Sequence, residues 1–294
     1  MDKVSIIVPT YNSSMYIDQL CISILNQTHK NFEVLIIDNM SIDKTIEGIK
    51  NFTKNDKRFK YFSINNEGVI GKSRNLGIRN SKYEYLAFHD SDDFWYKNKL
   101  EISLKYLKNF DFTYHYLRMK NENNFLLNYR KLYSYQLSKK PFVDLLTIGN
   151  PISTSSVMCK KSIFDNENLF SEEKNLIGVE DYECWINISK KNYKFKEIPI
   201  TLGRYLVGYL NTSYKIKKNG SYKIYHILKK NYQYLNDDDK KFSKNHFRYL
   251  FANELSNDNL KSKIFFNLFF QKNIKISKLK ILIKFIIHFI KKKL

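Results

Sequence analysis

The stretch "FHDSDDFW", residues 88 to 95, places three carboxylates, Asp90, Asp92 and Asp93, within four residues behind the apolar run "YEYLAF". Like charges this close push one another toward protonation unless a cation or a set of donors holds them. Three arrangements meet that need. A solvated turn accommodates Asp and Ser readily. A calcium loop of EF-hand type needs glycine at its sixth position and glutamate at its twelfth; here Trp95 and Glu101 stand there, so the glycine is missing. A Mg²⁺ or Mn²⁺ site shares its ion between one or two carboxylates and the phosphates of a substrate. The Asp-x-Asp spacing favours this third arrangement, because side chains at i and i+2 of an extended segment point the same way. Asp90 and Asp92 are then expected to face one ligand, with Ser91 turned aside and Asp93 capping a helix that starts near Phe94.

The elements that must position this cluster are written as apolar, β-branched runs separated by stretches of helical period. The runs are "VSIIVP" (4 to 9), "EVLIID" (33 to 38), "FKYFSI" (59 to 64), "YEYLAF" (83 to 88) and "FDFTYHYL" (110 to 117). Between the first two, Tyr16, Leu20, Ile24 and Gln27 follow a helical spacing. Such alternation indicates βαβ units and a mostly parallel sheet covered on both faces. Ligands of such sheets bind outside the carboxyl ends of the strands. Strand ends "PTYN", "DNMS" and "HDSDD" therefore share one edge, and Tyr11, Asp38, Asn39, Asp90 and Asp92 line a crevice of nucleotide size. Further on, 119 to 150 reads as a loop-rich insertion with short helices such as "PFVDLLTI". "SSVMC" (155 to 159) reads as a strand and "VEDYECWINISKK" (179 to 191) as a helix.

The 294 residues carry 50 Lys and Arg against 29 Asp and Glu, a net charge of +21, which attracts polyanions. Cys21, Cys159 and Cys184 are odd in number and far apart, so neither a disulfide framework nor a zinc site is supported. The first apolar run is too short for a signal sequence, and a reducing cytoplasm is the expected setting. No internal repeat or long linker divides the chain.

Five motifs in order, "VSIIVPTYN", "EVLIIDNMSIDKT", "NEGVIGKSRNLGI", "FHDSDDFW" and "GVEDYECW", resemble family 2 glycosyltransferases of the GT-A fold, over roughly residues 3 to 210. The resemblance implies an α/β, Rossmann-like sheet flanked by helices and an inverting, metal-dependent hexosyltransferase with a UDP-sugar donor. It implies that Pro9, Thr10 and Tyr11 cradle and stack on the base, and that Asp38 and Asn39 hydrogen-bond base or ribose. Many members have Asp where Asn39 stands and Gly where Met40 stands; an Asn carbonyl can still accept from uracil N3–H. Arg74 and Asn75, with Lys72 nearby, are implied to lie close to the nucleotide. Asp90-Ser91-Asp92 matches the family's Asp-x-Asp motif, in which the last Asp ligates Mn²⁺ or Mg²⁺ and the first approaches ribose or metal-bound water. The Glu-Asp motif matches Asp181 as general base, with Glu180 in reserve, although acids at a helix N-terminus also have a plain structural reading. His89 reads as a packing residue at a strand end. "NPISTSSVMCKKS" (150 to 162) resembles the acceptor-side segment, and Arg204 reads equally as a phosphate contact or as packing.

These readings divide the chain into a catalytic domain, 1 to 215, and a basic helical region, 216 to 294. The domain's nucleotide half runs to about 118 and its acceptor half from 119. Ten lysines follow the last acid, Asp258, and in 276 to 294 Ser277, Lys280, Lys284, His288 and Lys291 form one polar stripe on an otherwise apolar helix. Basic amphipathic helices bind anionic membrane surfaces at roughly 1 kcal/mol per nearby Lys, while packing on the catalytic domain is the alternative use of the same face. A peripheral position on the inner membrane face, with a glycan or lipid-linked acceptor in bacterial lipooligosaccharide, capsule or O-antigen synthesis, is the family's expectation. A nucleic-acid partner is not expected, because the excess charge lies behind the catalytic part. The rival readings are a metal-dependent nucleic-acid or nucleotidyl-transfer enzyme and a nonenzymatic nucleotide-sugar-binding module.

Overall fold

All seven residues of strand β1 (Val4–Thr10) are buried, and so are all seven of β2 (Phe32–Asp38). Strands without an exposed face require cover on both sides. Successive side chains of β1 serve two cores: Val4, Ile6 and Val8 pack with Leu20, Ile24 and Ile36, whereas Ile7 packs with Phe88, Phe112 and Trp185. The computed structural model describes residues 2–54, 56–121, 130–164, 169–207 and 220–241.

Among the described residues the chain forms an eight-stranded sheet of order β3-β2-β1-β4-β7-β6-β8-β5. The remaining strands are β3 (Phe59–Ser63), β4 (Tyr85–Phe88), β5 (Phe94–Trp95), β6 (Phe112–Lys120), β7 (Met158–Lys160) and β8 (Phe195–Leu206). β1 lies parallel to β2 and β4, and β2 is parallel to β3, so their carboxyl ends meet at one edge. β7 runs antiparallel between β4 and β6. β8 is parallel to β6 and antiparallel to β5.

The covering helices are α1 (Ile17–Leu25), α2 (Thr45–Thr53), α3 (Ile70–Asn80), α4 (Lys99–Leu107), α5 (Pro141–Thr147), α6 (Glu180–Ser189) and α7 (Gly220–Tyr232). In α1 the buried Ile17, Leu20, Cys21 and Ile24 repeat at helical spacing toward the sheet. Ile227 and Leu228 of α7 join the same core as Trp185 of α6. All three cysteines are buried, and none of them forms a disulfide.

Three sequence expectations are corrected. The strand expected at 155 to 159 shrinks to Met158–Lys160, preceded by a turn of 3-10 helix at Thr154–Ser156. No helix starts near Phe94. That residue opens β5, which pairs with β8 through Phe94 and Arg204, and α4 begins only at Lys99. Asp93 therefore caps nothing; it is buried, and its Oδ1 accepts the backbone N–H of Leu206 at 3.0 Å. The basic tail, 276 to 294, lies outside the described residues.

Candidate active site

The edge shared by β1, β2 and β4 is stitched together by the polar residues that end those strands. Thr10 pairs with Asp38 in the parallel register. Its hydroxyl donates to Asp38 Oδ1 at 3.0 Å. The Ser41 hydroxyl and backbone N–H also donate to Asp38, at 2.6 and 2.9 Å. With its oxygens engaged this way, Asp38 is buried and shapes the loop after β2. Asn39 accepts the Asn66 N–H through its side-chain carbonyl at 2.8 Å, which fixes the carbonyl end of that amide toward the loop after β3. Met40 sits at φ 51°, in the left-handed region that favours glycine, the residue the family resemblance leads one to expect there. Pro9 lies one residue before the end of the buried strand, and Tyr11 stands open just beyond it, 58% exposed, with its ring free for stacking.

After β4 the chain does not stay extended. The Asp93 N–H donates to the Asp90 carbonyl at 3.1 Å, closing a tight turn over Asp90–Asp93. Asp90 and Asp92 are thus brought together by turn geometry, in place of the alternation expected of a strand. The turn is held from three sides. The Asp90 N–H donates to the Ser155 hydroxyl at 3.0 Å, the Ser91 hydroxyl lies 2.8 Å from that of Ser13, and His89 anchors its base. His89 is fully buried, and burial lowers its pKa to about 4. Neutral His89 donates from Nδ1 to the Asp90 carbonyl at 2.8 Å, leaving Nε2, 2.8 Å away, to accept from Ser23. It is a packing residue, as expected.

On the other wall, Glu180 and Asp181 open α6. Asp181 is held by the Thr154 hydroxyl, which donates to Oδ2 at 3.2 Å. Glu180 accepts the Gly178 N–H at 2.6 Å, and Gly178 supplies the positive φ of 83° that this bend needs. Between the two walls lies Arg74 of α3, 4% exposed. Its NH1 donates to Glu180 at 2.7 Å and its NH2 to Asp90 at 2.9 Å. Burial works against this charge, but Asp90, Glu180 and Asp181 outweigh it and raise the arginine's pKa. Asn75, next along α3, faces elsewhere. Its amide donates to the Phe170 carbonyl and to Glu172, both at 2.8 Å, pinning the segment ahead of α6. Lys72 pairs with Glu67 at the surface. Each of the three groups expected beside the nucleotide, Lys72, Arg74 and Asn75, has a protein partner here.

One guanidinium stands against five carboxylates, Asp90, Asp92, Asp93, Glu180 and Asp181, and the crowding shows in the acids. Burial and then Asp90 raise Asp92 to about 7, while burial and then Glu180 raise Asp181 to about 7. Burial, followed by Asp92 and Asp90, pushes Asp93 well above the carboxylate range. Among the described residues no three His, Cys, Asp or Glu side chains converge as a closed metal cage. The acid pair of the turn instead suits a hard cation that takes one or two carboxylates and completes its shell with phosphate oxygens. A shallow depression of about 550 Å³, lined by Thr28, His29, Lys30, Asn31 and Glu101, lies at the opposite end of β2 and plays no part in this arrangement.

Comparison with known proteins decides the family. The family model described as "Glycosyl transferase family 2" matches residues 5–165. The chain belongs to glycosyl transferase family 2. An uncharacterized glycosyltransferase of Rickettsia bellii is 42% identical over 193 residues, covering 65% of this chain and 27% of that protein. The chain thus spans under a third of the length of its rickettsial relative. The UDP-Glc:alpha-D-GlcNAc-diphosphoundecaprenol beta-1,3-glucosyltransferase WfgD of Escherichia coli is 29% identical over 191 residues, covering 64% of this chain and 70% of that protein. Among solved structures, S. aureus TarS 1-349 in complex with UDP-GlcNAc superposes with a TM-score of 0.62 at 19% identity, covering 97% of this chain and 79% of that one. This likeness fixes the fold of the chain as GT-A, with a curled central sheet flanked by helices.

Sequence reasoning missed Ser13, Thr154 and Ser155 as positioning groups. The run "STSS" at 153 to 156 was the available signal, since hydroxyls close behind one another on a turn can donate in several directions.

Proposed function

We propose that this glycosyltransferase transfers a hexosyl group from a UDP-sugar to a hydroxyl of a glycan or lipid-linked acceptor, with inversion at the anomeric carbon. One observation carries the reading: two acid pairs from distant parts of the chain, Asp90–Asp92 after β4 and Glu180–Asp181 at the start of α6, are brought together across Arg74. The exposed Tyr11 ring gives the base a surface to stack on, with Thr10, Asp38 and Asn39 forming the floor beside it. Asp92, with Asp90 and Ser91 in the same turn, would hold Mn²⁺ or Mg²⁺. When bound, that ion supplies positive charge to the diphosphate as the nucleotide departs.

Asp181 acts as the base. A carboxylate raised to about 7 is half ionised at neutral pH and basic enough to accept a hydroxyl proton as the bond forms. The acceptor oxygen gives its proton to Asp181 and attacks the anomeric carbon. The bond from that carbon to the diphosphate oxygen breaks on the opposite face, and UDP leaves with the electron pair. Thr154, hydrogen-bonded to Oδ2, keeps the carboxylate oriented. Glu180 is tied to Arg74 and to Gly178 N–H, which makes it a support for Asp181 more than a replacement.

WfgD is named for a UDP-Glc donor and a diphosphoundecaprenol-linked acceptor. By that relationship we assign a lipid-linked acceptor and a role in bacterial surface-glycan synthesis at the inner membrane face, with the basic tail docking on anionic lipid. Among the described residues no helix is long and apolar enough to cross a membrane. The test is release of UDP from UDP-Glc, UDP-Gal and their N-acetyl forms, with Mn²⁺ or Mg²⁺ and a monosaccharide on undecaprenyl diphosphate. Release from at least one donor is expected. No release from any of them, together with tight DNA binding, would overturn the reading in favour of a nucleic-acid enzyme.

A further inference from the structure

Arg74 occupies the position that family resemblance gives to a nucleotide contact, yet both of its terminal nitrogens are engaged by protein carboxylates. It is 4% exposed. NH1 and NH2 are each taken by a different carboxylate, Glu180 and Asp90, which lie 106 and 16 residues away in sequence. The Phe170 ring centroid lies 5.2 Å from the guanidinium carbon, and Nε is buried without a partner. A guanidinium binding one carboxylate as a fork presents both nitrogens to it. Here the fork is split, one nitrogen to each wall of the cleft. We propose that Arg74 is a positioning residue that sets the distance between the Asp90–Asp92 turn and the start of α6, and so aligns the leaving-group side of the reaction with the base side.

The supporting parts all belong to this clamp. Phe170 is fixed by Asn75, whose amide donates to the Phe170 carbonyl and whose own carbonyl accepts the Phe170 N–H at 3.0 Å. Gly71, one turn before Asn75, lets α3 approach so closely that an added Cβ would lie 2.2 Å from the Ser171 carbonyl oxygen. Helix α3 is thereby locked to the segment that leads into α6, and Arg74 is carried between the walls as a rigid strut. Without it, Asp90 and Glu180 would lose their common cation, and each would be left partly buried with no counter-charge. Lysine does not substitute, because a single ammonium cannot span two carboxylates as a planar fork does.

The inference rests on the proposed transfer reaction for its kinetic consequence but not for its structural one, so two measurements on the full chain separate them. The first is backbone amide exchange in Arg74→Gln and in Glu180→Gln, with thermal melting to show that both variants fold. Exchange should accelerate at least fivefold at Asp90 and Asp93 in both variants, with β1 and β2 unchanged. Glu180→Gln is the sharper case, since it cuts the clamp from the far wall. Unchanged exchange at Asp90 and Asp93 in Glu180→Gln would overturn the clamp, whether or not any UDP-sugar is turned over. The second measurement is steady-state transfer with the donor found active. Arg74→Gln and Arg74→Lys should both lower kcat at least tenfold while donor KM changes less than threefold. A raised donor KM with kcat kept, or recovery by Lys, would make Arg74 a donor contact and refute the proposal.

Discussion

Replacing Asp181 with Asn removes the proposed base while keeping its size and its place as hydrogen-bond partner of Thr154. In the native protein, burial and Glu180 raise this carboxyl from an ordinary 3.8 to about 7, a cost of roughly 4 kcal/mol against ionisation at 1.36 kcal/mol per pH unit. That cost makes Asp181 a stronger base than a solvated aspartate, and its loss should lower kcat by about 10²- to 10⁴-fold, the usual contribution of a positioned base. The corresponding barrier increase is roughly 3–5 kcal/mol. Donor KM should stay within threefold, because Asp181 lies on the acceptor wall. The assay is steady-state UDP formation at saturating metal and donor from pH 5 to 9. Wild-type kcat should fall as pH drops below about 7, where the carboxylate takes up its proton, whereas residual activity of Asp181→Asn should be flat through that range. If Asp181→Asn kept kcat within threefold of wild type, or kept the acid limb, the base would have to be sought elsewhere.

Further outcomes follow from burial and close packing. Lys99 is fully buried, its ammonium 3.8 Å from the Trp95 ring centroid with one long bond of 3.4 Å to the Val157 carbonyl, and burial depresses its pKa well below normal. Its unfolded form binds a proton below about 10.4 that the folded form resists, so the penalty is present at neutral pH and fades as pH rises through that value. Lys99→Met should therefore stabilise the chain by about 1–4 kcal/mol at pH 7 in urea denaturation, with a smaller gain at pH 10; a less stable variant at pH 7 would contradict this. Gly71→Ala would gain about 0.5–1 kcal/mol of helix stability in open space. With the Ser171 carbonyl 2.2 Å from the added methyl it should instead cost about 1–3 kcal/mol, and a stabilised variant would show that α3 and that segment do not touch. Removing 272 to 294 should abolish co-sedimentation with anionic vesicles, and full retention would count against membrane docking by the tail.

The parts of the fold that position the nucleotide edge were legible because β1, β2 and β4 are buried on both faces and so are written as continuous apolar runs. Their carboxyl ends carry Thr10, Asp38 and the Asp90 turn where parallel topology requires. β5 and β8 were not legible. Two residues, Phe94 and Trp95, carry no period, and β8 is broken by Pro199 and Gly203 while its register with β6 shifts twice near Tyr116. Asp93 misled for the same reason: an acid before an aromatic pair resembles a cap unless the distant partner strand is known. The acid pairs were visible as motifs, but their shared arginine was not. An ion pair spanning 106 residues leaves no local spacing, and Arg74 read as a group beside the nucleotide, with nothing local to tie it to Glu180.

The claim on which the account turns is that the Asp90–Asp92 turn receives a nucleotide diphosphate through a divalent cation. Calorimetric titration of UDP into the full chain, with and without Mn²⁺, measures it directly in the native protein and in Asp92→Ala. Mn²⁺ should tighten UDP binding at least tenfold in the native protein and have no effect in Asp92→Ala. Equal enhancement in both proteins, or none in the native one, would contradict it.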